Sequence, residues 1–238
     1  YAEGYKKYLD EGKTEREACA SAKRMAVENG YKPFKFGQKL KAGDKVYYDN
    51  RGKNLYLIKV GKANVAEDGI RILASHIDSP RIDFKQVPLY ESEDIAFAKT
   101  HYYGGIRKYQ WATIPLALHG AVALKDGSVV NVKVGEDEND PVFYISDLLP
   151  HLAAKQNAKT LGEGIGGEDL NIWLGNIPYV AAADEKDRTV KENLLKILNE
   201  KYGMTEEDFL SAELCVVPAY KAKDIGFDRA LIGAYGHD

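Results

Sequence analysis

The sequence predicts an α/β protein in which one domain is interrupted by a β-rich inserted domain. Residues 3–29 repeat apolar side chains at three- and four-residue steps, which is typical of amphipathic helices. Ile70–Ser75 is a short apolar run that predicts a buried strand. Short strand patterns separated by turn residues fill 88–218. We therefore assign 1–87 and 219–238 to the interrupted outer domain, and 88–218 to the insert.

Two helices are expected within residues 3–29. Gly12 and its neighbours break the periodic pattern. Thr14 is placed to cap the second helix, and Glu17 completes a capping box with it. Gly30 ends this helix.

The outer domain then continues as β structure. Asp44–Tyr48 and Asn54–Val60 flank the turn-rich tetrapeptide Asp49–Gly52, which predicts a hairpin. The buried strand Ile70–Ser75 follows and is expected to deliver His76 at its end.

The insert is expected to contain hairpins and two main helices. Its predicted strands are His101–Tyr103, Ile114–Leu118, Ala121–Leu124, Val129–Val134 and Leu214–Pro218. Ser146 is expected to cap a helix that runs to about Asn157, with Pro150 in its first turn. A second amphipathic helix is predicted over 188–202.

Composition excludes several classes of partner. A net charge of −3 and a pI of about 6.0 give no sign of a nucleic-acid surface. The two cysteines do not make a framework of disulfide bonds, which favours a reducing cytoplasm as the location of the protein. The sequence has no apolar run of the roughly 18 residues that a membrane helix needs. The absence of an initiator Met and the apolar C-terminal stretch make us expect a truncated chain.

The chemically informative motif is His76-Ile77-Asp78. Side chains two apart in an extended chain point to the same side, so the imidazole and the carboxylate can meet. A metal-bound histidine commonly passes its second ring proton to a carboxylate, which fixes its tautomer. The alternative is a hydrogen-bonded loop pair before Pro80. His119, between apolar segments, is expected to be an ordinary strand histidine whose hydrogen bonds are satisfied.

A second candidate ligand is Asp238, which follows the apolar stretch Leu231–Ala234. A carboxylate there could bridge two metal ions that share an activated water. The alternative is an ordinary loop carboxylate.

Separated motifs along nearly the whole chain resemble one known family, the M18 aminopeptidases, and its bacterial branch in particular. The matching stretches are Ala74–Arg81, Tyr102–Trp111, Ile114–Gly120, Tyr144–Leu152, Gly167–Ile172 and Ile232–Asp238.

The resemblance implies a two-zinc exopeptidase that removes N-terminal amino acids from peptides. His76 would be a metal ligand, Asp78 the carboxylate that orients it, and Asp238 the bridging ligand. Zinc is expected, two ions per complete site, although cobalt or manganese would suit the same donors. The catalytic glutamate and the other ligands would lie beyond Asp238, so we expect this chain alone to be inactive.

The resemblance also implies a zinc-peptidase-type catalytic α/β domain, incomplete here and interrupted by a β-rich dimerisation domain. Members of the family build dimers into dodecamers. A histidine from the insert reaches a partner's active site, and His151 lies near that place; the alternative is a surface histidine. Two rival functions remain: a non-catalytic oligomerisation module with a vestigial metal site, or a different metal hydrolase such as a deacylase. The sequence does not determine the preferred substrate side chain.

Overall fold

The computed structural model describes residues 1–179 and 189–236. The chain divides into two compact units. Tyr1–Ser79 and Lys221–Asp238 form the first, here called the terminal unit, and Pro80–Tyr220 forms the second, here called the central unit. The central unit holds all of 88–218, and the role of these residues as an inserted dimerisation domain stays a prediction.

The secondary structure is mixed, as predicted. The helices in the described residues are α1 (Ala2–Glu11), α2 (Glu15–Glu28), α3 (Val65–Asp68), α4 (Ala154–Asn157) and α5 (Val190–Tyr202). The strands are β1 (Lys32–Pro33), β2 (Lys45–Asn50), β3 (Asn54–Lys59), β4 (Arg81–Ser92), β5 (Ile95–Tyr103), β6 (Leu116–Ala123), β7 (Val129–Val134), β8 (Ile172–Gly175), β9 (Ala212–Pro218), β10 (Lys223–Ile225) and β11 (Leu231–Gly233).

The two predicted N-terminal helices are confirmed. Thr14 caps α2: its hydroxyl accepts a hydrogen bond from the Glu17 amide, while the Glu17 carboxylate accepts one from the Thr14 amide. This reciprocal pair satisfies two amide donors that a helix start would otherwise leave open.

The predicted hairpin is also confirmed. β2 and β3 pair antiparallel, and β1 adds in parallel to β2. The turn between them is locked by the Gly52 amide, which donates to the Asp49 carboxylate at 2.8 Å. β10 and β11 form a separate antiparallel pair in the same unit.

One strand that the sequence predicted for the terminal unit is wrong. Ile70–Ser75 has no strand assignment, and every one of its residues is exposed rather than buried. Within the described part of the chain no sheet includes this segment. A strand needs a neighbour to satisfy its amides and carbonyls, so apolar composition alone does not make one.

The central unit is built on a six-stranded antiparallel sheet in the order β7-β6-β9-β4-β5-β8. A short segment, 143–144, links β6, the strand next to one end of the sheet, to β8 at the other end. Phe143 exchanges two backbone hydrogen bonds with Leu116 of β6, and the carbonyl of Tyr144 accepts from the Trp173 amide of β8. The five strands from β6 to β8 therefore close into a barrel. Ile82, Leu116, Ile172 and Val216 lie fully buried in its core.

The helix expected from Ser146 to Asn157 is wrong over most of its length. Only Ala154–Asn157 is helical, after a turn in which the Ala153 amide donates to the Pro150 carbonyl. The pyrrolidine ring of Pro150 disfavours helical backbone at the preceding residue, so no continuous helix runs from Ser146 through it.

The second predicted helix of the insert is confirmed as α5. Thr189 and Glu192 form its capping box, and Gly203 ends it in the left-handed conformation. The first residue predicted for that helix, Arg188, lies outside the described residues. No helix in the described ranges combines the length and the apolar character required to cross a membrane.

Candidate metal centre

His76 and Asp78 lie in the segment of the terminal unit that follows α3 and has no helix or strand assignment. His76 Nδ1 is 2.8 Å from the backbone oxygen of Asp78 and 3.3 Å from its carboxylate Oδ1. Both oxygens are acceptors, so Nδ1 carries the proton and donates. The lone pair is then on Nε2, which is the form of imidazole that ligates a metal ion.

The pair faces solvent in the structure. The His76 side chain is 62% exposed and that of Asp78 is 37% exposed. The imidazole is therefore held at one nitrogen and accessible at its ring edge. This differs from a structural histidine such as His119, which is fully buried on β6 with Nε2 3.3 Å from the Glu136 carboxylate.

The chain returns to this place just before its last residues. Gly236 lies beside Ser79, one residue after Asp78: a Cβ built on Gly236 would meet Ser79 Oγ at 3.0 Å. Gly236 also has φ of +71°, a conformation that favours glycine. The predicted ligand Asp238 lies outside the described residues. Neither Ser79 nor Gly236 was singled out by sequence reasoning, because no motif marks a contact between segments so far apart in sequence.

Only part of what a metal site requires is present in the described residues, namely one imidazole whose orientation is fixed. An imidazole oriented through its other nitrogen suits zinc, which usually takes four ligands in all. Within 1–179 and 189–236, no group of three or more His, Cys, Asp or Glu side chains is arranged to hold a metal ion. The described residues therefore contain one imidazole oriented as a ligand would be, but no complete metal site.

His151 belongs to the central unit. It lies in the turn that precedes α4 and is exposed, and so are its neighbours Leu149 and Leu152, at 59% and 65%. It is therefore a surface histidine of this chain, flanked along the sequence by exposed leucines.

Comparison with known proteins decides the family. The model of peptidase family M18, described as aminopeptidase I zinc metalloprotease, matches residues 8–238. The chain belongs to the M18 family. A probable M18 family aminopeptidase 1 of Clostridium acetobutylicum is 52% identical over 238 residues, which cover 98% of this chain and 50% of that protein.

Solved structures of the family share the fold. The M18 aminopeptidase of Thermotoga maritima is 43% identical, with a TM-score of 0.91 over 99% of this chain and 51% of that one. The mApe1 dodecamer of S. cerevisiae is similar in fold alone, at 17% identity and a TM-score of 0.68 over 97% and 51%. The chain spans about half the length of the M18 relatives it matches.

Proposed function

We propose that this chain supplies the first part of the active site of a metal-dependent aminopeptidase. The observation that carries the proposal is the orientation of His76 by Asp78, in a chain that belongs to the M18 family. His76 is the metal ligand, Asp78 fixes its tautomer, and Asp238 is the ligand shared by two ions.

Two zinc ions, when bound, would polarise the scissile carbonyl and lower the pKa of a water molecule toward about 7. Cobalt or manganese would suit the same donors. The contribution of this chain is to hold the His76 ring in a fixed position and orientation. Because Nδ1 is held by two oxygens of Asp78, the ring cannot rotate away from the ligating direction without losing both contacts. Asp78 also keeps the proton on Nδ1 and so keeps Nε2 available.

The remaining ligands and the catalytic glutamate are proposed to lie in the half of the M18 sequence that this chain does not include. The 238 residues alone are then inactive toward peptides. A functional test therefore needs a longer polypeptide, which can be made as a fusion. The fusion joins residues 1–238 to the second half of the C. acetobutylicum relative, and we call it the hybrid chain.

We further propose that the chain assembles with copies of itself through the central unit. The exposed Leu148, Leu149 and Leu152 surround His151 with apolar surface, which is commonly buried at interfaces. His151 is then placed to reach a partner's active site. The dodecamer of the yeast relative supports an oligomer of this kind.

The test is hydrolysis of aminoacyl-nitroanilides by the hybrid chain, with bound metal counted by mass spectrometry. We expect two ions per chain, turnover, and loss of turnover with a chelator. Cleavage of N-acyl substrates but not of aminoacyl ones would indicate a deacylase instead. A folded oligomer without metal or turnover would contradict the proposal and favour an oligomerisation module with a vestigial site.

A further inference from the structure

Asn29 and Gly30 form the one Asn-Gly pair in the sequence, and both are exposed at the end of α2. An asparagine followed by glycine is the pair most prone to lose its side-chain amide. Glycine has no side chain to hinder attack by its own backbone nitrogen on the asparagine side chain. The pair is therefore chemically able to react and is reached by water, and the surrounding structure determines how fast it reacts.

The end of α2 is closed by two backbone hydrogen bonds around Gly30. This residue has φ of +83°, which favours glycine and turns the chain out of the helix. Its amide donates to the Val27 carbonyl, and the Tyr31 amide donates to the Ala26 carbonyl, both at 3.0 Å. This is the Schellman arrangement, which satisfies carbonyls that a helix end would otherwise leave open. The attacking nitrogen is thus engaged in a hydrogen bond while the helix end is closed.

The reacting atoms also point apart. Asn29 has ψ of 15°, which turns the Gly30 nitrogen away from the Asn29 side chain. The side-chain amide of Asn29 donates to the Met25 carbonyl at 2.8 Å, and the Asn29 carbonyl accepts from Lys45 Nζ of β2 at 2.9 Å. Attack on the side chain therefore requires the last turn of α2 to open, so that these contacts break and the backbone rotates.

We propose that Asn29 is a modification site, where this chain deamidates at a rate set by opening of the last turn of α2. Hydroxide removes the proton of the Gly30 nitrogen, which attacks Asn29 Cγ. The Cγ–Nδ2 bond breaks, Nδ2 takes a proton from water and leaves as ammonia, and a succinimide ring remains. Water then adds to either ring carbonyl, and the ring opens to aspartate or to isoaspartate.

Both products are expected to weaken the end of α2. Each places a new negative charge beside the negative end of the helix dipole, which disfavours it. Isoaspartate also adds one carbon to the main chain and so displaces Gly30 from the position that ends the helix. Because residues 29–31 connect α2 to β1, the modification should loosen the terminal unit.

Peptide mapping by mass spectrometry tests the proposal. The 238-residue chain is incubated at mildly alkaline pH, folded or in urea, and the forms of each asparagine peptide are separated by chromatography. We expect Asn29 to deamidate faster than any other asparagine in both states, with isoaspartate among the products. In the folded chain the reaction should be at least about fivefold slower than in urea, since local opening limits it.

Two lysine variants test the role of the closed helix end. Lys45→Met removes the donor to the Asn29 carbonyl, so the folded chain should deamidate about 2- to 10-fold faster, while the rate in urea stays the same. Lys59→Met is the matched control, because Lys59 is exposed and pairs with Lys45 across β2 and β3. It should change neither rate.

Gly30→Ala tests which atom attacks. A methyl group beside the attacking nitrogen hinders it, so the reaction of Asn29 in urea should slow. Equal rates at Asn29 in the folded chain and in urea would overturn the proposal, because opening would then not limit the reaction. Faster deamidation of another asparagine in the folded chain would overturn it as well.

Discussion

The backbone of Gly236 lies against the side chain of Ser79, so that a Cβ on Gly236 would be only 3.0 Å from Ser79 Oγ. Ser79 follows Asp78 and Gly236 precedes Asp238 by two residues. Sequence positions separated by the whole central unit are thus adjacent within the terminal unit. This contact brings the chain just after Asp78 against Gly236, a proximity that the proposed site of His76 and Asp238 requires.

Replacing Gly236 by alanine should weaken this contact and destabilise the terminal unit. The left-handed backbone costs about 1–2 kcal/mol for a residue with a Cβ, and the close approach to Ser79 adds to it. Gly43→Ala is the matched control, because Gly43 has φ of +94° in the same unit and open space around its Cβ position. Chemical unfolding followed by circular dichroism should show the larger loss for Gly236→Ala.

A double variant separates the contact from the backbone strain. Adding Ser79→Ala removes Oγ, so the combined variant should recover to the level of Gly43→Ala. Equal losses for Gly236→Ala and Gly43→Ala would show that Gly236 does not lie against Ser79.

The two residues of the His76 pair should differ in their effects in the hybrid chain. His76→Ala removes the ligand and should abolish turnover, with assembly retained. Asp78→Asn leaves the backbone acceptor in place and should lower metal affinity by about 10–100-fold, the usual effect of losing an orienting partner. Hydrolysis of aminoacyl-nitroanilides measures the turnover, and calorimetric metal titration measures the affinity.

Controls for the His76 pair come from residues of the same types. His101→Ala changes an exposed histidine of β5, and Asp228→Asn changes an exposed carboxylate of the terminal unit. Neither should alter metal affinity. Normal hydrolysis of aminoacyl substrates by His76→Ala would refute its assignment as a ligand.

Gly120→Ala should be among the most damaging single changes in the central unit. Gly120 lies in β6 with φ of +147°, and a Cβ there would be 1.9 Å from the Glu213 carbonyl oxygen of β9. Overpacking a strand pair and straining its backbone should cost about 3 kcal/mol or more. Both tryptophans, Trp111 and Trp173, are in this unit, so their fluorescence reports its unfolding alone.

Gly127→Ala is the comparison for that variant. Gly127 also has positive φ, at +84°, but a Cβ there meets nothing within 4 Å. The Gly127→Ala change should therefore lower the stability of the central unit only by the free energy of the backbone strain. A Gly120→Ala protein as stable as Gly127→Ala would mean that β6 and β9 do not approach as described.

Asp208 should contribute to the acid sensitivity of the central unit. The backbone amide of Thr205 and then its hydroxyl donate to the Asp208 carboxylate, which lowers its pKa. A pKa below the unfolded value of about 3.9 means that stability is present above that pH and is lost as pH falls below it. Asp208→Asn should therefore flatten the loss of stability below about pH 4.

Thr205→Ser keeps both donors and should retain the parental pH profile. Tryptophan fluorescence during urea unfolding at several pH values gives the comparison. An unchanged acid dependence in Asp208→Asn would show that Asp208 is not the responsible group.

Local signals in the sequence predicted the elements that local chemistry determines. The Thr14 capping box and the Asp49–Gly52 turn each depend on residues within four positions of one another. The two errors have different origins. The strand state of 70–75 depends on distant partners, and the shortened α4 depends on the ring of Pro150 prevailing over the capping preference of Ser146.

The candidate site likewise combines a contact between near neighbours in sequence, which was predicted, with a contact between distant residues, which was not. The His76–Asp78 contact is local, and the structure has it at 2.8 Å to the backbone oxygen and 3.3 Å to the carboxylate. Sequence reasoning named the carboxylate as the acceptor but did not foresee the closer carbonyl. The approach of Gly236 to Ser79 needs the tertiary fold, and no spacing rule gives it.

Anomalous scattering at the zinc edge from crystals of the hybrid chain would show whether His76 and Asp238 hold the metal ions. We expect two peaks about 3.5–4 Å apart. One should lie about 2.0–2.1 Å from His76 Nε2, with the Asp238 carboxylate between the two. Peaks elsewhere in the molecule, with the His76 ring pointing away from them, would contradict it.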